Sequence, residues 1–198
     1  MYVQIKKRIP QPVKESLKSL SELKNFYQIK RAKVHPAPIF MLGHAKSGTT
    51  AIASLLGKVT GQTVTIDPIF RIDPDGYLQK KLLSGELQLS ELIETYKFYF
   101  STPINKDPKL TFFYEDLRKC LPQAKFIFVI RDPRDNLRSF LNRRGIPGHI
   151  DKLPEDKQQW IGNLPPIAGT NYIEKLANRW NLAADTYLNH QDEFLLIR

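Results

Sequence analysis

Apolar residues at Val13, Leu17, Leu20, Leu23 and Phe26/Tyr27 recur three or four positions apart, which lays them along one face of an amphipathic helix. Its other side carries lysines, which reads first as a helix packed on the domain with its lysines in water, the alternative being an arm that meets a membrane surface or a partner. Prolines in residues 34–38 turn the chain away from helix. Residues 39–42 (IFML) are a short unbroken apolar run, read as a buried strand, and the glycine-bounded residues 43–48 (GHAKSG) break it. Ile52, Leu55 and Leu56 then restore a helical period over residues 49–58.

The same reading continues downstream. Residues 62–66 alternate with β-branched side chains and predict a second strand. Helical spacing follows over 77–83, 89–100 and 113–121, and residues 125–130 (KFIFVI) form the clearest buried strand in the chain. Asp132-Pro133 starts the next helix, since Asp caps well and Pro suits the first helical position; Asp135 then complements the dipole of that helix. Residues 145–169 hold four prolines and predict a long surface loop, a length that usually serves a function. A helix over 172–189 leads to a last strand, 193–197. Strands alternating with helices predict an α/β fold: a parallel sheet with helices on both faces, three layers in all, and a ligand site where loops leave the carboxyl ends of the strands.

Charge changes this picture in one place. The 198-residue chain has a formal net charge of +10, but residues 1–36 hold nine Lys/Arg against two Glu, so +7 of the excess sits in that segment and +3 in the rest. The division predicts a basic extension over 1–36 and a domain over 37–198. Past residue 36 there is no basic ribbon interleaved with aromatics, so nucleic acid is not an expected partner. A single cysteine, Cys120, excludes an internal disulfide and a cysteine-based zinc cluster and reads as a core thiol. His35, His44, His149 and His190 show no paired metal-ligand spacing. No apolar run approaches the ~20 residues a membrane span needs, and residues 1–10 do not read as a signal peptide, so the expectation is a soluble, cytoplasmic chain.

The glycine segment carries the chemistry. Gly43-His-Ala-Lys-Ser-Gly-Thr49-Thr50 follows most of the phosphate-loop pattern, whose N–H groups and following helix N-terminus converge on an anion. Position 49 is Thr where a nucleotide triphosphatase has Lys, and Lys46 stands three residues earlier. A hydrophobic strand ending in Arg131-Asp132 opens the next helix, and Ser139, eight residues after Arg131, lies two helical turns into it, so it can face the same side as Arg131.

Together, AKSGTT after the first strand and FIFVIRDPRDNLRSF after a later one resemble the sulfotransferases that use 3′-phosphoadenylyl sulfate, over about residues 37–198. The resemblance implies that Lys46, Ser47, Gly48, Thr49, Thr50 and Ala51 cradle the 5′-phosphosulfate and that Arg131 and Ser139 bind the 3′-phosphate. It implies metal-independent in-line transfer to a hydroxyl or amine, with Lys46 stabilising the leaving oxygen. The base-bearing His of the cytosolic branch has no counterpart in Asn105-Lys-Asp-Pro108. In the Golgi-type and bacterial branches the base is a carboxylate about 21 residues after the loop's cation. Asp67 stands 21 after Lys46 and is one methylene shorter than the usual Glu. Lys106 either contacts the reacting sulfate or is an exposed loop lysine, and His44 is the second candidate base. The family's glycine-rich C-terminal cofactor segment is not found, which reads as a short member or a fragment.

Plainer readings stand beside these. Asp67 before Pro68 ends a strand or starts a turn equally well. Arg131 could be a surface ion-pair partner, and Trp160 either lines an acceptor pocket or pins the long loop. The rival enzyme is a phosphate-loop kinase or nucleotidase with Asp132 as magnesium ligand. A non-catalytic fragment retaining the fold is the remaining alternative. The acceptor could be a carbohydrate, small alcohol, lipid or peptide.

Overall fold

In the computed structural model, which describes residues 29–146 and 167–198 together with Gly148, Leu153 and Glu155, five strands share one sheet. They are β1 (Ile39–Gly43), β2 (Val64–Ile66), β3 (Ile104–Lys106), β4 (Lys125–Val129) and β5 (Phe194–Ile197). Their order is β2-β3-β1-β4-β5, and every neighbouring pair is parallel. The expected parallel α/β sheet is therefore present.

Alternation along the two longest strands builds a core on each face. Phe40 and Leu42 of β1 join Phe126 and Phe128 of β4 on one face, where helices α2 (Pro68–Ile72), α3 (Tyr77–Ser84), α4 (Leu89–Thr95) and α5 (Tyr114–Cys120) contribute Ile69, Leu82, Leu92 and Leu117. Met41, Ile127 and Val129 face the other way and meet Ala53 of α1 (Thr49–Thr60), with Ile52 and Leu56 against them. Burying each large apolar side chain is worth about 1.5–3 kcal/mol, so the strands that carry the loops are also the best anchored. Between α6 (Pro133–Arg144) and α7 (Tyr172–Leu188) a smaller cluster forms from Phe140, Leu141, Tyr172 and Leu176.

Local chemistry sets the boundaries. Asp132 caps α6 by accepting from the N–H groups of Arg134 and Asp135, as expected, and Asn171 caps α7 by accepting from Glu174 N–H. Gly145 ends α6 with a left-handed φ of 62°. The helix expected over 89–100 stops at Thr95: Tyr96 leaves helical geometry, and a 3-10 turn at Lys97–Phe100 follows. That break lets Leu92 and Phe100 enter the same core. The helix expected over 113–121 is α5, preceded by a 3-10 turn at Leu110–Phe113.

Strand β3 was not legible in the sequence. Its residues, Ile104-Asn-Lys106, are all buried although two are polar, so no apolar run marks them. Asn105 Nδ2 donates to the Thr102 carbonyl at 2.9 Å. Cys120 is half-buried beside the larger core and is a free thiol.

The amphipathic helix expected from Val13, most of the long loop and Trp160 lie outside the described residues. Among the described residues no helix is long and apolar enough to cross a membrane.

Candidate functional site

Strand β1 ends in a tight place. Gly43 has φ 126°, and a Cβ there would lie 2.1 Å from the carbonyl oxygen of Val129 on β4. The buried Thr111 hydroxyl accepts from Gly43 N–H and donates to Gly43 C=O, each at 2.9 Å. The strand end is thus gripped from the neighbouring strand and from the turn after β3.

The loop that follows is held by one residue of α6. Asn136, fully buried, donates through Nδ2 to the Ala45 carbonyl and to Ser47 Oγ, both at 3.0 Å. Its Oδ1 therefore accepts from His44 Nδ1–H at 2.8 Å. His44 is 3% exposed, and burial lowers its pKa to about 4, leaving a neutral ring packed on Phe140 at 5.8 Å between centroids. His44 is a strut under the loop and does not line the cavity above it.

Lys46 takes a left-handed φ of 71° and Gly48 a φ of 93°. A Cβ at Gly48 would meet nothing within 4 Å, no side chain caps α1, and its first turn holds no acidic residue. The first N–H groups of a helix have no intrahelical partner, so those of residues 49–51 face a space open to an anion. Lys46, Gly48, Thr49, Thr50 and Ala51 line a cavity of about 760 Å³ at the carboxyl edge of the sheet, and Asp67, Arg131 and Ser139 line it too. Ser47, the remaining loop candidate, turns to a neighbouring hollow bordered by Ile52, Arg131, Trp180 and Arg198. Trp180 Nε1 donates to the Arg131 carbonyl at 3.2 Å, which ties α7 to the end of β4.

Across the cavity, Lys106 Nζ donates to Asp67 Oδ1 at 2.8 Å. Lys106 is 5% exposed and so is not a solvated loop lysine. Asp67 has φ 50° and stands at the N-cap position of α2, yet its side chain makes no capping hydrogen bond. Asp107 does that work: its Oδ2 accepts from Ile69 N–H at 2.8 Å and its Oδ1 from Lys109 N–H at 2.9 Å. The Asp67 carboxylate is left turned toward the cavity. Burial, reinforced by the charge of Asp67, raises Asp107 to about 6. Arg131 reaches Asp135 at 3.8 Å, and Asp132 is taken by Arg134 and the cap of α6.

Several residues of the site escaped the sequence reading. Asn136 sits unremarked within the second motif. Arg179 falls three residues after Leu176 and four before Ala183, on the buried stripe of α7, and a cation at such a position was the available signal. Among the described residues no group of three or more His, Cys, Asp or Glu could hold a metal ion.

No protein-family profile matches the chain, and no curated protein matches it. Among solved structures it is similar to the sulfotransferase STF9 from Mycobacterium avium, with a TM-score of 0.52 and 15% sequence identity, over 89% of this chain and 62% of that one. The chain therefore spans less than two thirds of that protein. The chain, a five-stranded parallel sheet flanked by helices, shares the α/β fold of that sulfotransferase.

Proposed function

We propose that this protein transfers a sulfuryl group from 3′-phosphoadenylyl sulfate to a hydroxyl or amine. The observation that carries the reading is the convergence of the glycine loop with Lys46, the Arg131/Ser139 pair and Asp67 on one cavity at the carboxyl edge of a parallel sheet. The fold shared with a sulfotransferase supports it.

The residues present suit such a donor. The open space at Gly48 and the uncapped start of α1 fit an anion that approaches the backbone closely. The donor would supply a sulfuryl group attached to a good phosphate leaving group. The protein's part is positioning and charge stabilisation, as in phosphoryl transfer. The N–H groups of 49–51 and the Thr49 and Thr50 hydroxyls hold the phosphosulfate end, while Arg131 and Ser139 hold the 3′-phosphate. Lys46, a mobile point charge, offsets negative charge growing on the leaving oxygen. Asp67 takes the proton from the acceptor, and Lys106 fixes where that carboxylate points.

Binding of 3′,5′-adenosine bisphosphate in the absence of metal tests the reading, followed by a screen for sulfate transfer. The expected result is a melting temperature raised by the bisphosphate without metal. Stabilisation by ATP with Mg²⁺ alone would replace this reading with a phosphate-loop kinase. The engagement of Asp132 in the cap of α6 already disfavours it as a magnesium ligand.

A further inference from the structure

Arg179 is 5% exposed, and its Nε has no hydrogen-bond partner. Its guanidinium lies over the Phe112 ring, 4.9 Å from the centroid, and makes no ion pair among the described residues. A buried, uncompensated cation is costly, and this one borders the cavity. Lys109, half-buried, borders the same wall with Nζ 5.9 Å from the Phe70 ring centroid. Burial lowers Arg179 to about 10 and also lowers Lys109, where the nearby carboxylates of Asp107 and Asp73 oppose the shift and the charge of Arg179 adds a smaller downward push. Arg179 has no carboxylate partner among the described residues, and Lys109 beside it can share an anion drawn to that guanidinium.

Their place decides which anion. Lys46, the α1 N-terminus, Arg131 and Ser139 belong to the ends of β1 and β4 and line the cavity there, and the proposed function assigns them to the donor's charged groups. Phe112, on which Arg179 stacks, and Lys109 follow β3, and Phe70 follows β2; the charge of Arg179 also reaches His44 under the glycine loop, so Arg179 stands where the two halves meet. The half beyond β2 and β3 also holds Asp67, the proposed proton acceptor.

We infer that Arg179 and Lys109 form an oxyanion subsite that selects acceptors bearing a carboxylate, sulfate or phosphate group alongside the hydroxyl or amine to be sulfated. The inference rests on the proposed transfer activity for the word acceptor; the anion subsite itself can be tested without it. A guanidinium suits this task because its fork pairs with two oxygens at once.

Inorganic sulfate is the probe. With 3′,5′-adenosine bisphosphate saturating and ionic strength held constant with NaCl, sulfate is titrated against the melting temperature of the wild-type chain, Arg179→Gln, Lys109→Gln and Lys46→Ala. Saturable stabilisation is expected for wild type, weakened about tenfold or more in Arg179→Gln and by a smaller factor in Lys109→Gln. Lys46→Ala is expected to keep it, because sulfate held at the position next to the donor's phosphate would depend on Lys46 instead. Bisphosphate affinity in Arg179→Gln is expected to stay within about threefold of wild type. An unchanged sulfate response in Arg179→Gln, or a parallel loss of bisphosphate affinity, would overturn the inference, the latter by assigning Arg179 to the donor. If Arg179→Gln does not fold, an unchanged response in Lys109→Gln overturns it. If wild type binds no bisphosphate, the transfer reading fails, and the comparison of Arg179→Gln with Lys46→Ala in sulfate alone still decides the subsite.

Discussion

Lys46 and Asp67 share an unusual backbone conformation: among the described residues they are the non-glycine positions with positive φ, 71° and 50°, and both border the same cavity. A left-handed conformation costs a non-glycine residue about 1–2 kcal/mol, less for Asp than for Lys. Strain of this kind persists where the surroundings impose it, and it concentrates at functional sites. Here the Asn136 clamp holds the loop around Lys46, while the Lys106 ammonium and the cap made by Asp107 hold the turn at Asp67.

Lys46→Gly should therefore separate stability from activity. Relief of strain offsets the entropy glycine adds to the unfolded chain, so urea unfolding should show stability unchanged or raised by up to about 1 kcal/mol. Sulfate transfer should fall by about 10²–10³-fold, the usual loss for one transition-state donor. A variant as active as wild type would remove Lys46 from the mechanism.

At Asp67 the expected order of activities is Asp, then Glu, then Asn. Asp67→Asn keeps the backbone preference but loses the proposed base and the charge facing buried Lys106, so turnover should drop about 10²–10⁴-fold and stability by about 1–3 kcal/mol, the amide oxygen still accepting from the ammonium. Asp67→Glu restores a carboxylate but is less tolerant of a φ of 50°, so it should retain measurable transfer and cost about 1 kcal/mol of stability. Equal activity of Asp67→Asn and wild type in a transfer assay would point to another base.

Asn136→Ala strips the loop of three hydrogen bonds and leaves Ala45 C=O and His44 Nδ1–H without their partner. A stability loss of about 2–3 kcal/mol is expected, because buried groups deprived of a partner keep their full desolvation cost. Affinity for 3′,5′-adenosine bisphosphate, measured by calorimetry, should weaken by about tenfold as the loop loosens. Affinity equal to wild type would show that the loop keeps its shape without the clamp.

Gly43→Ala should be the most damaging small substitution. The added methyl meets backbone, the Val129 carbonyl at 2.1 Å, at a φ that L residues rarely adopt. Neither β1 nor β4 can withdraw without breaking their ladder, so a loss above about 4 kcal/mol is expected. Soluble protein with a near-native melting temperature would contradict this account of the strand end.

Two buried groups give stability opposite pH slopes. His44, lowered from 6.5 to about 4, binds fewer protons folded than unfolded, so the stability its neutral form provides is lost as pH falls from 6.5 toward 4. Asp107, raised from 3.8 to about 6, binds more protons folded, so stability declines as pH rises from 3.8 through 6. The slopes overlap between about 4 and 6, each approaching about 1.4 kcal/mol per pH unit at most. Urea unfolding of His44→Gln across that range should expose the decline with pH, and Asp107→Asn the rise. Parallel curves for both variants and wild type would refute the assignment.

The strand–loop–helix order, the cap at Asp132 and the placement of the glycine loop were all readable from periodicity and from the chemistry of Gly, Asp and Pro, because these are local preferences of a few adjacent residues. A family resemblance added the expectation that Lys46, Asp67, Arg131 and Ser139 work together, and the fold brings them to one cavity. What remained hidden depends on partners far apart in sequence. Strand β3 is polar in two of three residues and exists because β1 and β2 pair with it on either side. Lys106 is buried because Asp67, 39 residues away, accepts from it. Asn136 holds a loop some 90 residues upstream, and Arg179 reaches the cavity only because α7 packs against the turn after β3, where Phe112 lies under its guanidinium. Burial of a polar side chain is set by what the whole chain packs around it, and no window of neighbouring residues carries that information.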